Sequence, residues 1–347
     1  MPAARPLTII GGGLAGLALG IGLRQKDLPV TVYEAGIYPR HRVCGEFISG
    51  RGQPTLTRLG LDELLAQAGA VPARTAAFYS THRSTPARPL PAPALCLSRW
   101  RLDALLAEHF RRLGGDLRTG QRLDPARAGE GVVLANGRRP SADLRGPRWF
   151  GLKIHARHLP LQADLEMHVS PRGYVGLCRV EQDLVNVCGL FRRARHDPAP
   201  LGEARQLLYG PPGSLLHQRL AAAEFDEASF CAVAGLAWQP RPAAGRAEVC
   251  LGDALTLIPP VTGNGMSLAL ESAELALEPL ADWSRAGRPW PEVRREISRR
   301  CDAAFTRRLA WAQRLQQLIL TAPLQNLLVR LAARHDRLWR LAFELTR

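Results

Sequence analysis

The sequence predicts a mixed α/β fold: a parallel, helix-covered sheet, an antiparallel sheet inserted into it, and a helical C-terminal segment. Three observations predict it. The first 34 residues read as strand, glycine-rich turn, helix and second strand, the repeating unit of a parallel sheet. From Trp149 the pattern changes to short alternating or apolar runs separated by tight turns, a meander. From Trp290 to Arg347 the apolar residues recur at helical spacing.

Leu7 to Ile10 is an apolar run of strand length, and Gly11-Gly12-Gly13-Leu14-Ala15-Gly16 follows it without a spacer. Leu17 to Arg24 then reads as helix, and Thr31-Val32-Tyr33 as a strand ending in Glu34. In such a G-x-G-x-x-G unit Gly11 permits the turn, Gly13 lets backbone approach a pyrophosphate, and Gly16 lets helix pack on strand. The helix N-terminus offers free N–H groups and a positive dipole end to phosphates. Glu34 stands where an acid accepts hydrogen bonds from an adenosine ribose, and its charge disfavours a 2′-phosphate. Together these predict a dinucleotide site. Arg5 and the apolar stretch to Leu23 imitate a secretory signal, but six glycines between Gly11 and Gly22 suit a phosphate turn better, so the segment is expected in the mature chain.

The chain of 347 residues is long enough for two domains and an appendage. Its net charge of +15 resembles a nucleic-acid binder, yet the basic residues are scattered arginines, with only Lys26 and Lys153 as lysine. No basic run or nucleic-acid motif accompanies them, so nucleic acid is not expected as a partner. Seven cysteines, widely spaced and without a C-x-x-C pair, predict buried free thiols, a cytoplasmic setting and no metal site. No run of eighteen apolar residues occurs, so no spanning helix is expected.

After Glu34 and Ala35, the segment to Glu46 is dense in Arg, Gly and Pro, as a loop over a nucleotide would be; Arg42 is placed to reach a phosphate. Cys44-Gly45-Glu46 sets a thiol and a carboxylate beside a flexible residue; a turn with one buried Cys is an equal reading on local grounds. Thr55 to Ala68 reads as helix. Residues 71 to 95 form an excursion with a short strand signal at 76–79. Ser98 is a plausible N-cap for a helix to Leu113, stopped by Gly114-Gly115. Asp116 to Thr119 and Gly131 to Ala135 read as strands, the latter turning at Asn136-Gly137. Strands are expected at 151–155, 165–169, 174–180, 184–191 and 230–237, with a helix within 200–222. Lys153 and His155 share one strand face and are as readily solvated as substrate-facing. Val249 to Leu251 is a strand ending in Gly252-Asp253-Ala254, and Pro259-Pro260-Val261-Thr262-Gly263-Asn264-Gly265-Met266 opens a long helix from Ser267 to about Asp282. That helix offers a second set of N-terminal N–H groups. In the last helix Leu324, Leu327, Leu328, Leu331, His335, Leu338, Leu341 and Leu345 form one stripe, read as core or dimer packing, with peripheral membrane contact less favoured.

Taken together these residues resemble the FAD-dependent p-hydroxybenzoate hydroxylase and geranylgeranyl reductase superfamily over residues 1 to about 285. The carriers are Gly11, Gly13, Gly16 and Glu34, the Arg42 to Glu46 segment, Arg99 in S-R-x-x-L-D, and Gly252-Asp253-Ala254 followed by Pro260-x-x-Gly263-x-Gly265. The resemblance implies a Rossmann-like FAD-binding domain of the GR2 type in three parts, 1–70, 96–148 and 238–288. It also implies substrate-domain segments at 71–95 and 149–237, and C-terminal helices at 289–347. By it, Gly11, Gly13, Leu14, Ala15, Gly16, Glu34 and Ala35 hold the ADP part, and Arg99 contacts the flavin chain. Leu123 offers backbone to adenine, Gly252 and Asp253 hold the ribityl or pyrophosphate region, and Pro260 with Gly263 to Met266 lines the isoalloxazine. The C-G-E element places Cys44 and Gly45 near the flavin, and Cys44 and Glu46 are the candidate catalytic residues.

Two motifs depart from the pattern. The middle D-G motif reads Asn136-Gly137-Arg138-Arg139-Pro140, which weakens the case for NADH or NADPH as a transient electron donor. The W-x-W-x-I-P signature of flavin halogenases and the Y-x-W-x-F of prenyl reductases are both missing. The expected function is an FAD-dependent oxidoreductase, foremost a monooxygenase of an apolar or aromatic small molecule. The alternatives are a flavin-dependent C=C reductase of prenyl chains and a flavin-binding protein without turnover. A monomer or homodimer is expected.

Overall fold

The structure, a computed structural model, describes residues 3–127, 129–138, 148–193, 201–236, 242–337 and 339–340. Its strands are β1 (Leu7–Ile10), β2 (Val30–Glu34), β3 (Phe47–Ile48), β4 (Val71–Tyr79), β5 (Arg88–Cys96), β6 (Asp116–Thr119), β7 (Val132–Leu134), β8 (Arg148–Arg157), β9 (Leu165–Ser170), β10 (Gly173–Arg179), β11 (Val185–Arg193), β12 (Glu224–Leu236) and β13 (Val249–Cys250). Its α-helices are α1 (Leu14–Arg24), α2 (Gly52–Arg58), α3 (Asp62–Gln67), α4 (Arg99–Arg112), α5 (Leu215–Leu220), α6 (Gly265–Ser284), α7 (Trp290–Ile319) and α8 (Ala322–Arg334).

Five parallel strands form the first sheet in the order β13-β7-β1-β2-β6. The chain builds outward from β1 to one side, then returns to place β7 on the other. The strand order therefore reverses beside β1, and a crevice opens at the carboxyl ends there. Leu7, Ile9 and Val32 of the sheet and Leu17, Ile21 and Leu23 of α1 are fully buried where helix covers sheet. Each such side chain contributes about 1.5–3 kcal/mol by leaving water.

Helices α1 and α6 lie side by side and run the same way. A side chain on Gly252 would touch both Ala15 and Ala269, and one on Gly22 would lie 3.0 Å from Leu277. Both N-termini consequently open at one end, above the crevice.

The second sheet has eight strands in the order β12-β8-β11-β10-β9-β4-β5-β3, antiparallel except for β4 beside β9. Period two gives it two faces. Leu152, Ile154, Val175, Leu177, Val187 and Phe191 form an apolar core on one. The other carries Lys153, His155, Asn186, Cys188, Tyr174 and Met167 and faces the first sheet's domain.

The structure corrects several expectations. The helix expected over 55–68 is two, α2 and α3, because Gly60 takes a left-handed φ of 65° between them. The excursion at 71–95 is a hairpin of two nine-residue strands rather than one short strand. Within 200–222 the chain forms a 3₁₀ segment at Leu201–Tyr209 and the short α5. Helix α1 begins three residues earlier than expected, on the glycine turn itself. Ser98 does cap α4, accepting from the amide of Arg101. Ala237, Arg139, Pro140, Leu338, Leu341 and Leu345 lie outside the described residues.

Candidate functional site

The site is built on the turn between β1 and α1. Gly11 holds a φ of 112°, a conformation that side chains resist, and a Cβ there would collide with the carbonyl of Ala135 at the end of β7. Beside Gly13, by contrast, nothing lies within 4 Å of where a Cβ would stand. Gly13 caps α1 without a side-chain bond, and no acid occupies the first turn, so the N–H groups of Leu14, Ala15 and Gly16 have no side-chain cap. Helix α6 begins in the same way. Asn264 is its N-cap without a side-chain cap bond, no acid follows in the first turn, and Gly263 before it takes a φ of 64°. Phe47 stands against Gly263, while Ser49 bonds Asn264 and accepts from Ser267, tying the 47–52 segment to this second turn.

A ladder of charge crosses the crevice. Glu34, 5% exposed, accepts from the amides of Gly12 at 2.9 Å and Gly36 at 2.8 Å and from Arg40 at 2.6 Å. The acid expected to meet a ribose therefore also braces its own glycine turn, and the Tyr38 hydroxyl adds a bond to the carbonyl of Gly12. Burial, with the Glu34 and Asp103 charges, raises the Tyr38 phenol above its usual range, so it stays a donor. Arg42 joins Asp103 at 2.9 Å, and Arg99 grips the same carboxylate with two bonds of 2.8 Å. Burial opposes the charge on Arg99, but Asp103 and the neighbouring Cys44 outweigh it and raise its pKa. Asp253 is solvent-accessible. The crowding protein still pushes its carboxyl above the ordinary range, against the pull of Arg99, Arg138 and Arg42. Gly252 is buried behind it, its amide bonded to Ser272. Leu123 follows the 120–121 segment, which bonds Gly36 and Glu34, and Asn136 is exposed just past β7.

Below the crevice the Cys44-Gly45-Glu46 element plugs into the second sheet. Glu46 is fully buried and takes a φ of 58°, strained for a residue with a side chain. Its carboxylate accepts from the Arg99 amide at 3.0 Å, pairs with His155 Nε2 at 2.7 Å and lies 3.4 Å from Lys153 Nζ. Lys153 and His155 are 0% and 2% exposed, so the strand face that sequence left open between solvent and interior is interior. Lys153 also meets His41 Nδ1 at 3.0 Å, and the His41 ring stacks on Trp100 at 4.4 Å. Burial first, then the Lys153 and His155 charges, lower the His41 pKa to about 4, so its neutral ring accepts from the ammonium. Asn186 Nδ2 donates to the carbonyl of Cys44 at 2.9 Å, and the Cys178 thiol to that of Gly45 at 3.1 Å. Cys44 itself is half-buried, and burial raises its pKa despite the pull of Arg99. It is a thiol rather than a thiolate at neutral pH.

The structure thus gathers Gly11 to Gly16, Glu34, Arg42, Cys44, Gly45, Arg99, Asp253 and Gly263 to Met266 around one crevice. It turns the Glu46 carboxylate away into the sheet. Sequence reasoning missed Asp103, His41, Asn186 and Tyr174. Asp103 was the acid of the S-R-x-x-L-D run and sits one helical turn from Arg99, a signal that could have found it. Asn186 and Tyr174 depend on strand pairing, and His41 on a loop meeting Lys153 of β8 and Trp100 of α4. Among the described residues no cluster of His, Cys, Asp and Glu could hold a metal ion, and no helix is long and apolar enough to cross a membrane.

No protein-family model matches the sequence, and no curated protein does. Solved structures do match. A flavoprotein/dehydrogenase from Cytophaga hutchinsonii superposes with a TM-score of 0.78 at 14% identity, covering 98% of this chain and 92% of that one. The flavin-dependent brominase Bmp2 gives 0.75 at 17% identity over 99% and 93%. PqsL of P. aeruginosa, solved with 2-aminobenzoylacetate, gives 0.69 at 17% identity over 92% and 97%. The chain shares the fold of these three structures along nearly its whole length.

Proposed function

We propose that this chain is an FAD-dependent oxidoreductase, and within that class a monooxygenase acting on an apolar or aromatic small molecule. The observation that carries the reading is the pair of helix N-termini without side-chain caps, α1 and α6, opening together at the strand-order reversal. One such terminus suits a pyrophosphate; two at one crevice suit an extended ligand with electron-rich groups at separate points. The residues present fit FAD. The N–H groups of Leu14 to Gly16 take the pyrophosphate, with Arg42, whose side chain is 30% exposed, beside them. Glu34 takes the ribose, Asp253 the sugar-alcohol chain, and the start of α6 the electron-rich edge of the ring system. Bound FAD supplies the redox chemistry, with NADH or NADPH as a transient donor.

The chain's own contribution is placement and exclusion of water. Asp103 keeps Arg42 and Arg99 in fixed directions, and Glu46 pins the Cys44-Gly45 backbone at the edge of the crevice. Val169, Leu190 and Val261 supply an apolar wall. Cys44 serves as a neutral, half-buried wall residue able to donate a proton. Glu46 acts through what it holds.

The visible spectrum of the purified protein tests the first part. Bands near roughly 370 and 450 nm are expected from the cofactor's own chromophore. Their absence, with no FAD regained on incubation, overturns the flavin reading. Substrate-stimulated oxygen uptake coupled to product supports the monooxygenase; anaerobic reoxidation of the reduced flavin by a polyprenyl compound supports the C=C reductase instead.

A further inference from the structure

The sheet face turned toward the crevice holds two buried polar atoms with no partner among the described residues. Tyr174 is 6% exposed and packs beside Val261, two residues before the second glycine turn, and Leu320. Its hydroxyl meets no hydrogen-bonding group among the described residues. Asn186 is 1% exposed. Because its Nδ2 is committed to the carbonyl of Cys44, the amide orientation is fixed, and Oδ1 is left without a donor. Orphaned buried groups of this kind cost stability and are few in native proteins, so each asks for a partner.

Between them the sheet has a hollow. Gly176 pairs with Cys188 on one side and Met167 on the other, one step along each strand from Tyr174 and its partners Leu190 and Val169. A side chain on Gly176 would meet only neighbouring backbone, the carbonyls of Cys188 at 3.8 Å and Glu166 at 3.9 Å. Asn186 lies one step past Cys188 on the same face. Lys153, the cation in register with Cys188, is already held by Glu46 and His41. Burial, and to a lesser degree the Cys188 thiol, raise the Tyr174 phenol well above its ordinary pKa, so it remains an O–H donor.

We propose that Tyr174, Gly176 and Asn186 form the polar subsite of the substrate cavity, which takes a neutral molecule by a carbonyl or hydroxyl oxygen and rejects a carboxylate of the same size. The oxygen accepts from Tyr174, the body of the molecule fills the hollow over Gly176, and Asn186 Oδ1 accepts from any N–H or O–H the molecule carries. A carboxylate finds no free cation on this stretch among the described residues and faces an amide oxygen, so its desolvation goes uncompensated. The proposal rests on reading the crevice as the substrate site of a flavin enzyme.

Binding of three probes to the protein as purified tests it by calorimetry: acetophenone, ethylbenzene and benzoate. In an apolar hollow lacking a donor the ketone binds worse than ethylbenzene, since it gives up water. With Tyr174 as donor acetophenone should bind about 5- to 10-fold more tightly than ethylbenzene, the worth of one hydrogen bond, and benzoate weakest of all. Tyr174→Phe should bring acetophenone down to the ethylbenzene level and leave ethylbenzene unchanged. Gly176→Val should weaken both. The ligand-free Tyr174→Phe protein should melt no lower than wild type, because the hydroxyl it loses had no partner. Ketone and hydrocarbon binding alike, benzoate binding best, no probe binding at all, or a lower melting temperature for Tyr174→Phe overturns the proposal. Flavin content is read separately from the visible spectrum. Ketone selectivity in a flavin-free protein would sink the flavin reading alone, and a flavin-loaded protein without selectivity would sink the subsite alone.

Discussion

Two buried glutamates, on opposite faces of the same sheet, do different work. Glu46 enters from the first sheet's domain in a left-handed conformation, and its Lys153 and His155 partners come from β8. Glu166 stays within its own domain, bonded to His168 at 3.0 Å and 3.4 Å from Arg219, with Tyr79 stacked on the His168 ring at 4.2 Å. Burial pushes Glu166 up, but hydrogen bonds from His168 and the Gln162 amide, with Arg219 nearby, outweigh it and hold its carboxyl below the usual range. The first cluster joins two parts of the molecule and sets the edge of the crevice. The second consolidates one part. A charged pair tells little by itself; which elements it joins decides what depends on it.

That contrast can be broken by mutation. Lys153→Met removes a fully buried cation beside Glu46, whose carboxylate keeps only His155 and the Arg99 amide, and removing one partner of such a buried pair costs about 3–5 kcal/mol. Urea denaturation should show a loss of that size, and limited proteolysis should open the 40–50 loop. Arg219→Met is the matching change on the other face. Its side chain is 14% exposed and His168 still satisfies Glu166, so the expected loss is about 1–2 kcal/mol, with the 40–50 loop still protected. Equal losses, or equal loop opening, would erase the distinction.

A smaller effect sharpens it through pH. His41 titrates near 4 in the fold against 6.5 ordinarily, so the unfolded chain binds its proton first. Its contribution is full above pH 6.5 and is lost as pH falls from 6.5 toward 4. Discounted for the ring's partial exposure, this is about 1 kcal/mol. His41→Gln should therefore show a shallower fall of melting temperature across that window than wild type. Parallel curves would mean that the His41 ring does not stay neutral beside Lys153.

Much of the nucleotide half was legible because its signals are local. The strand, glycine turn, helix and acid lie within Leu7 to Glu34, where each position's task follows from backbone sterics and short-range hydrogen bonding. Gly263-Asn264-Gly265 was legible for the same reason, and so was the Ser98 cap. The two-helix break at Gly60 was missed because apolar spacing continues across it. Lys153 and His155 were seen to share a face, but period two does not say what covers that face.

The sequence by itself determined the parallel-sheet nucleotide unit, the antiparallel meander and the free thiols, since each follows from spacing along a continuous stretch of chain. Only the tertiary structure decided that Glu46 points into the sheet, that Lys153 is dry, and that the Tyr174 hydroxyl and Asn186 Oδ1 flank a hollow without a partner among the described residues. Those facts depend on residues more than a hundred positions apart meeting across a curled sheet. The free energy of a buried polar group is set by what surrounds it, and no local pattern encodes that.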